Sequence, residues 1–342
     1  MSDTRFSAIE LVDKCPLCRS RTRETLYSDV SDPLYGVPGE WSYKRCLDCT
    51  LVFLDPRPTE GEIGKAYVVY PTHASEKLPD DPLRRIRSYV AVGYLARKFG
   101  YDNETNFLHK LAGSLMYLHP GQREYTNGSI MYLSAARRGK VLDVGAGSGE
   151  LLAKLRGLKW EVEGIDPDPQ AAESVLRNHG IKIETGTLPD AGYPSDHFDA
   201  VTMSHVIEHV HDPVALLKEC RRVMKPGGSL IISTPNARSL GHYSFGRYWR
   251  SVEPPRHLIL FSRKTLLEAS RKAGLSPVST ITTVRGADGV FVESRQIERN
   301  RGTEPHTPAH ERLAGHLYQY FTAALLRFKP DVGEDLLLVA IK

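Results

Sequence analysis

Cysteine is scarce in this sequence, long apolar runs are missing and net charge is small, and each shortage removes a class of protein. Five cysteines in 342 residues are too few for a secreted module held together by disulfides. No stretch approaches the ~18–20 consecutive apolar residues that span a bilayer. The opening MSDTRFSAIELVDK is polar and acidic and lacks the apolar segment of a secretory signal. The chain therefore reads as cytoplasmic, with free thiols. A net charge of +4 is too weak to imply nucleic acid by itself. There is no internal repeat and no low-complexity tract. A 41% hydrophobic content is ordinary for a globular protein that buries a full core.

Four of the five cysteines stand in two pairs, Cys15-Pro-Leu-Cys18 and Cys46-Leu-Asp-Cys49. Two C-x-x-C knuckles can supply four thiolates to one tetrahedral Zn²⁺, and four thiolates leave no open position for a substrate, so the role is structural. Redox motifs or a disulfide pair are the competing readings. Through residue 60 there are eight Lys/Arg and ten Asp/Glu. A phosphate-binding face must be cationic, which argues against nucleic acid. Cys220, in LLKECRRVMK, has no sequence partner and reads as core.

Residues 56–72 read as a linker with a short helix. Over 82–123 apolar residues recur at helical spacing (Leu83, Ile86, Val90, Tyr94; Phe107, Leu108, Leu111, Leu115). Arg84, Arg85, Arg87, Arg97, Lys98, Lys110 and Arg123 lie between them, against Asp102 and Glu104. Such a basic amphipathic region is a lid with a solvated cationic face, a peripheral contact with an anionic membrane, or a holder of an anionic substrate. From residue 139 strands and helices alternate: KVLDVGA, GELLAKLRG, EVEGIDP, PQAAESVLRNHG, IKIETG, FDAVTMS, DPVALLKECRRVMK, GGSLIISTPN. This cadence gives an α/β, doubly wound sheet with ligand sites at the carboxyl ends of its strands. VSTITTVR and DLLLVAI add strands, with a helix near 309–328 between them.

LDVGAGSGE places glycines at a strand-to-helix turn, where backbone can approach a ligand. A dinucleotide fingerprint would need glycine where Glu150 stands, and a P-loop would need a basic residue and Ser/Thr. Asp143 at the strand end favours a cation. Asp166, ending the next strand in GIDPDP, can take two ribose hydroxyls through its two oxygens. An acidic site for a cationic nucleoside suggests S-adenosylmethionine.

LDVGAGSGELL, GIDPD, FDAVTMSHVIEHVHDP and MKPGGSLIISTPN together resemble the class I S-adenosyl-L-methionine-dependent methyltransferases over roughly 125–342. The resemblance implies a Rossmann-like sheet of seven strands, the last antiparallel. It places Asp143, Gly145, Ala146, Gly147 and Gly149 at the methionine moiety, Asp166 and Pro167 at the ribose, Thr187 and Leu188 beside adenine, and Ser204 facing the cofactor. The implied organisation is a zinc-ribbon module over 1–60, a linker with a basic helical lid over 61–124, and the methyltransferase domain over 125–342 with a substrate-side insertion at about 238–262.

A cysteine-rich module ahead of such a domain is similar to methyltransferases that act on sugars in bacterial polysaccharide and natural-product pathways. The insertion carries Tyr248 and Trp249 as stacking faces and Glu253 and Arg256, the latter a bidentate phosphate clamp. Equally, Glu253 and Arg256 can form a structural ion pair with the aromatics in the core. The longer His/Glu/His-Tyr pattern of deoxysugar C-methyltransferases is missing, which favours O- or N-transfer. The acceptor implied is a small molecule, glycan or lipid-linked sugar. A quinone or phenol acceptor, an RNA or protein docked by the ribbon, and a non-catalytic cofactor-binding protein stay open.

SHVIEHVHDP (204–213) carries three histidines. On one turn of helix His205, Glu208 and His209 share a face. They can be a metal site, since ubiquinone-pathway O-methyltransferases have Glu, Glu and His at the matching places. They can equally supply a general base, with His205 the first candidate and His209 and His257 the alternatives, or Glu208 and His209 can be architectural, bonded to neighbouring backbone or to each other. Asp212 and Pro213 read as N-cap and first residue of the next helix, and His211 as solvent-facing.

Overall fold

The computed structural model describes residues 6–68, 81–102, 105–299 and 307–342. Residues 69–72 of the expected linker and Glu104 of the basic region lie outside them. Among the described residues, seven strands share one sheet: β1 Lys140–Val144, β2 Glu161–Asp166, β3 Glu184–Thr185, β4 Phe198–Ser204, β5 Met224–Pro235, β6 Ser276–Thr283 and β7 Asp335–Ile341. Their order is β6-β7-β5-β4-β1-β2-β3. β1 pairs in parallel with both β2 and β4, and β2 with β3. The cadence predicted a doubly wound sheet, and its seven strands match what the family resemblance implied. β3 is shorter than the expected IKIETG. Ile181 and Ile183 are buried in a cluster with Ala146, Leu152 and Val175, but at the sheet edge only Glu184 and Thr185 pair with a neighbour.

The chain divides into two compact units. One contains residues 72–204, 219–232 and 341–342, hence β1–β4 and the helices between them. Its helices obey ordinary end rules. Asp168 caps Pro169–His179, which stops at left-handed Gly180, and Asp81 caps Pro82–Phe99, which stops at left-handed Gly100. Among the described residues no helix is long and apolar enough to cross a membrane.

The other unit contains residues 1–71, 205–218 and 233–340. Here Arg23–Val30, Trp41–Cys46 and Val52–Leu54 form an antiparallel sheet, and Ile259–Leu260 adds a fourth strand beside Val52–Leu54. The N-terminal ribbon and the chain leaving the insertion thus share a single sheet. Tyr43, fully buried, fixes the join: its hydroxyl lies 2.6 Å from the Val252 carbonyl oxygen and 2.8 Å from that of His257.

Candidate functional site

The glycine turn after β1 is built as its sequence requires. Gly145, Gly147 and Gly149 all have positive φ, at 75°, 51° and 74°, a region costly for side-chain-bearing residues. At Gly149 a Cβ would also sit 2.8 Å from both methyls of Val175. Register sets Asp143 opposite Gly164 on β2 and Thr202 on β4, and the Thr202 hydroxyl donates to Asp143 Oδ1 at 2.7 Å. Asp166 accepts from Gly147 N at 2.8 Å and Asp168 N at 2.9 Å, which orients its carboxylate across the turn.

Burial raises the Asp143 carboxyl to about 7, with Thr202 opposing and the charge of Asp166 adding to the rise. Two buried acids side by side are a poor place for pyrophosphate and a good one for a cation. That donor set fits S-adenosylmethionine: a carboxylate for its cationic end, a second for ribose hydroxyls and bare backbone between them. Ala146 is only 7% exposed and packs with Leu152 and Val175, so it offers backbone rather than side chain. Leu188 is buried, whereas Thr187 and Pro167 are exposed and Ser204 is half-buried.

The four cysteines converge. Their sulfurs lie within 4.8 Å of one another, with Cys15–Cys49 at 3.5 Å and Cys18–Cys46 at 3.4 Å. Disulfide sulfurs stand at about 2.05 Å, whereas four thiolates at about 2.3 Å from one Zn²⁺ stand roughly 3.8 Å apart. Both knuckles repeat the same backbone bonds. Arg19 N donates to Cys15 O and Thr50 N to Cys46 O, while Cys15 N donates to Ser20 O and Cys46 N to Leu51 O. Arg19 and Thr50 are left-handed, at φ 66° and 72°. Cys220 is fully buried, as expected, and burial pushes its thiol up to about 12.

The histidine stretch is not the single helical face expected. His205 itself is left-handed, at φ 54°, and a 3₁₀ turn covers only Ile207–His209. His205 therefore separates from His209. Its ring lies between two acids: Nδ1 is 3.2 Å from Glu208 Oε1 and Nε2 is 3.6 Å from Asp335 Oδ1. Burial opposes charging the ring, but Asp335 and Glu208 outweigh it and raise the pKa to about 10. A histidine in its imidazolium form has no lone pair with which to take a proton, so these two ion pairs weigh against the base role expected of His205.

Glu208 is buried, and its other oxygen accepts from Thr234 Oγ1 at 2.9 Å. Burial would raise it, but hydrogen bonding to the His205 ring holds it at about 2. The cluster with metal-ligand spacing is Glu208, His209 and His257, with donor atoms within 4.8 Å, in place of the expected His205, Glu208 and His209. His209 Nδ1 lies 2.9 Å from both the Arg256 carbonyl oxygen and the Tyr67 hydroxyl. His257 Nδ1 lies 2.7 Å from the Ser251 carbonyl oxygen. Burial, helped by His209, lowers His257 to about 4, so it is neutral but only 5% exposed. Two histidines and a carboxylate could hold a first-row divalent ion. His211, expected to face solvent, is half-buried, with Nε2 2.9 Å from Pro58 O. Asp212 accepts from Ala215 N at 2.9 Å and caps Pro213–Val223.

The insertion also departs from expectation. The Arg256 side chain is wholly buried between Asp32 and Glu253, each at 2.9 Å, with Tyr35 beneath its guanidinium. Trp249 is 1% exposed, stacks on His242 and donates to Glu334 Oε2. Glu253 also pairs with Arg250. Burial opposes its charge, yet the Arg250 and Arg256 guanidiniums hold it at about 2. These residues are structural and no phosphate clamp is free to act. Tyr248 alone, 39% exposed, keeps an available stacking face.

Asp335 and Asp32, the partners that decide His205 and Arg256, were missed from sequence. An acid opening the apolar run DLLLVAI was the one available signal for Asp335.

Comparison with known proteins shows what this scaffold resembles. Residues 117–280 match the family described as "Methyltransferase domain". Over those residues, a little under half of the chain, the sequence is similar to a methyltransferase domain. An aligned segment of 126 residues is 35% identical to a ubiquinone biosynthesis O-methyltransferase of Xanthomonas oryzae pv. oryzae, covering 35% of this chain and 51% of that protein. Another of 150 residues is 33% identical to the protein of that description from Cereibacter sphaeroides, covering 41% and 61%. The chain thus spans about half the length of the curated relatives it matches. A methyltransferase from Archaeoglobus fulgidus is among the similar solved structures, at 18% identity and a TM-score of 0.43, over 69% of this chain and all of that one. The domain match ends short of the cysteine ribbon.

Proposed function

We propose that the protein is an S-adenosyl-L-methionine-dependent methyltransferase that O-methylates a hydroxyl of a sugar or sugar-containing precursor. The observation that carries the transferase reading is the pair of buried carboxylates, Asp143 and Asp166, flanking a glycine turn. When bound there, the donor supplies a methyl group already activated by its sulfonium. The chain's own task is to hold donor and hydroxyl in line. Asp143 holds the cationic end of the donor and Asp166 its ribose, while Leu188 offers an apolar wall to the adenine.

The O-transfer reading is supported by relatives named as O-methyltransferases. The sugar reading rests on the ribbon sharing a sheet with the insertion and on Tyr248, which offers a stacking face. A phenol or quinone acceptor is the second reading, favoured by the relatives' names. Four sulfurs at zinc-like separations support a structural Zn²⁺, and free thiols support a cytoplasmic location.

Calorimetry with S-adenosylhomocysteine tests the cofactor; silence at millimolar ligand would sink it. A radiolabelled methyl screen over nucleotide sugars, lipid-linked sugars and phenols tests the acceptor. Label appearing only in phenols would remove the sugar reading, and binding without any product would leave a non-catalytic protein. Wild type is expected to hold one zinc per chain and Cys46→Ser much less, with a lowered melting temperature. Equal metal in both refutes the ribbon assignment.

A further inference from the structure

The helices Pro82–Phe99 and Phe107–Gly113 cross through their glycines. A Cβ on Gly93 would lie 1.7 Å from the His109 carbonyl oxygen, and one on Gly113 would lie 2.3 Å from Tyr94 N. Backbone therefore packs on backbone at the crossing, with the Tyr89 ring stacked on His109 at 4.0 Å beside it. The apolar residues that would ordinarily fill such a crossing point outward: Leu83, Ile86, Phe107, Leu108, Leu111 and Leu118 are 57–77% exposed. Small residues inside and large apolar residues outside is the arrangement of helices packed in lipid. A soluble monomer rarely leaves so dense a patch uncovered.

Charge selects the occupant. Residues 82–123 carry seven Lys/Arg against Asp102 and Glu104, and Arg84, Arg85 and Arg87 occupy the first turns of the leading helix. Arg84, Arg85, Ser88, Tyr89, Val92 and His109 line a shallow cleft of about 380 Å³. A cationic cleft beside an apolar face matches an anionic lipid surface, where acyl chains take the leucines and headgroup phosphates take the arginines. No described helix here can span a bilayer, so the hairpin would lie in the interface.

We propose that this helical hairpin docks the protein on anionic phospholipid membranes. The proposal is independent of which acceptor is methylated. The test is co-sedimentation of the full chain with vesicles of phosphatidylglycerol and phosphatidylcholine (1:3) or of phosphatidylcholine alone, at 0.1 and 0.5 M NaCl. Binding is expected only to the anionic vesicles, and weakened by salt. At about fivefold per cation, R84Q/R85Q/R87Q should weaken it about 100-fold. F107S/L108S/L111S alters exposed side chains only and should weaken it at least about tenfold, with an unchanged melting temperature. Absence of binding to anionic vesicles, or equal binding by both variants and wild type, overturns the proposal. Light scattering that shows a dimer converted to monomer by F107S/L108S/L111S would instead assign the face to a second copy of the chain, and would also overturn it.

Discussion

Replacing Asp143 with asparagine should stabilise the cofactor-free protein while destroying its cofactor site. The carboxyl is 4% exposed, and burial moves it from 3.8 to about 7. A raised carboxyl favours the protonated folded state, so the native state binds more protons than the unfolded one between about pH 4 and 7. Its contribution therefore falls as pH rises through that window and stays low above it. At about 1.36 kcal/mol per tenfold change, three decades correspond to roughly 4 kcal/mol at pH 8, an upper figure because asparagine is also desolvated. The introduced amide keeps an oxygen to accept the Thr202 hydroxyl. Thermal unfolding without ligand should show Asp143→Asn melting above wild type at pH 8, with the difference shrinking toward pH 4. Calorimetry should show S-adenosylhomocysteine binding weakened at least about tenfold. A variant that melts below wild type at pH 8 and binds normally refutes the electrostatic account of this site.

His205→Gln removes a cation rather than a base. A folded pKa near 10 against an ordinary 6.5 gives stability present in full below about pH 6.5 and lost as pH rises through 10. The side chain is 43% exposed, so about 1 kcal/mol is expected after solvent screening. Denaturant unfolding at pH 6 and pH 10.5 should show the gap closing; an acidic limb near pH 6.5 in the rate profile, lost in the variant, would restore the base. Arg256→Met leaves Asp32 and Glu253 buried without it and should cost about 3–5 kcal/mol; unchanged urea stability with a raised KM would return Arg256 to substrate binding. Gly164→Ala drives a Cβ to 2.6 Å from Leu152 Cδ1 and 2.9 Å from Ile183 Cγ2, costing about 1–3 kcal/mol; an unchanged melting temperature would contradict the packing.

The parts read correctly from sequence were those fixed by short-range chemistry. The glycine turn, the acids at the ends of β1 and β2, and the Asp212 cap each depend on neighbours a few residues away. The cysteine knuckles repeat one local pattern twice, so their spacing announced them. The surroundings of the histidines and of the insertion were not legible, for the opposite reason. Whether His205 is a base or a cation depends on Asp335, 130 positions along the chain, and Arg256 answers to Asp32, more than 200 positions back. No local pattern carries those distances.

Sequence by itself therefore determined the sheet's cadence, the cofactor turn and the cysteine pairs, because backbone dihedrals, caps and C-x-x-C spacing are local properties. Only the tertiary structure decided protonation and exposure: which histidine is charged, which arginine is buried, and that Leu83, Leu108, Leu111 and Leu118 face outward. Those quantities depend on what the fold brings beside a side chain, and burial and charge act through space rather than along the chain.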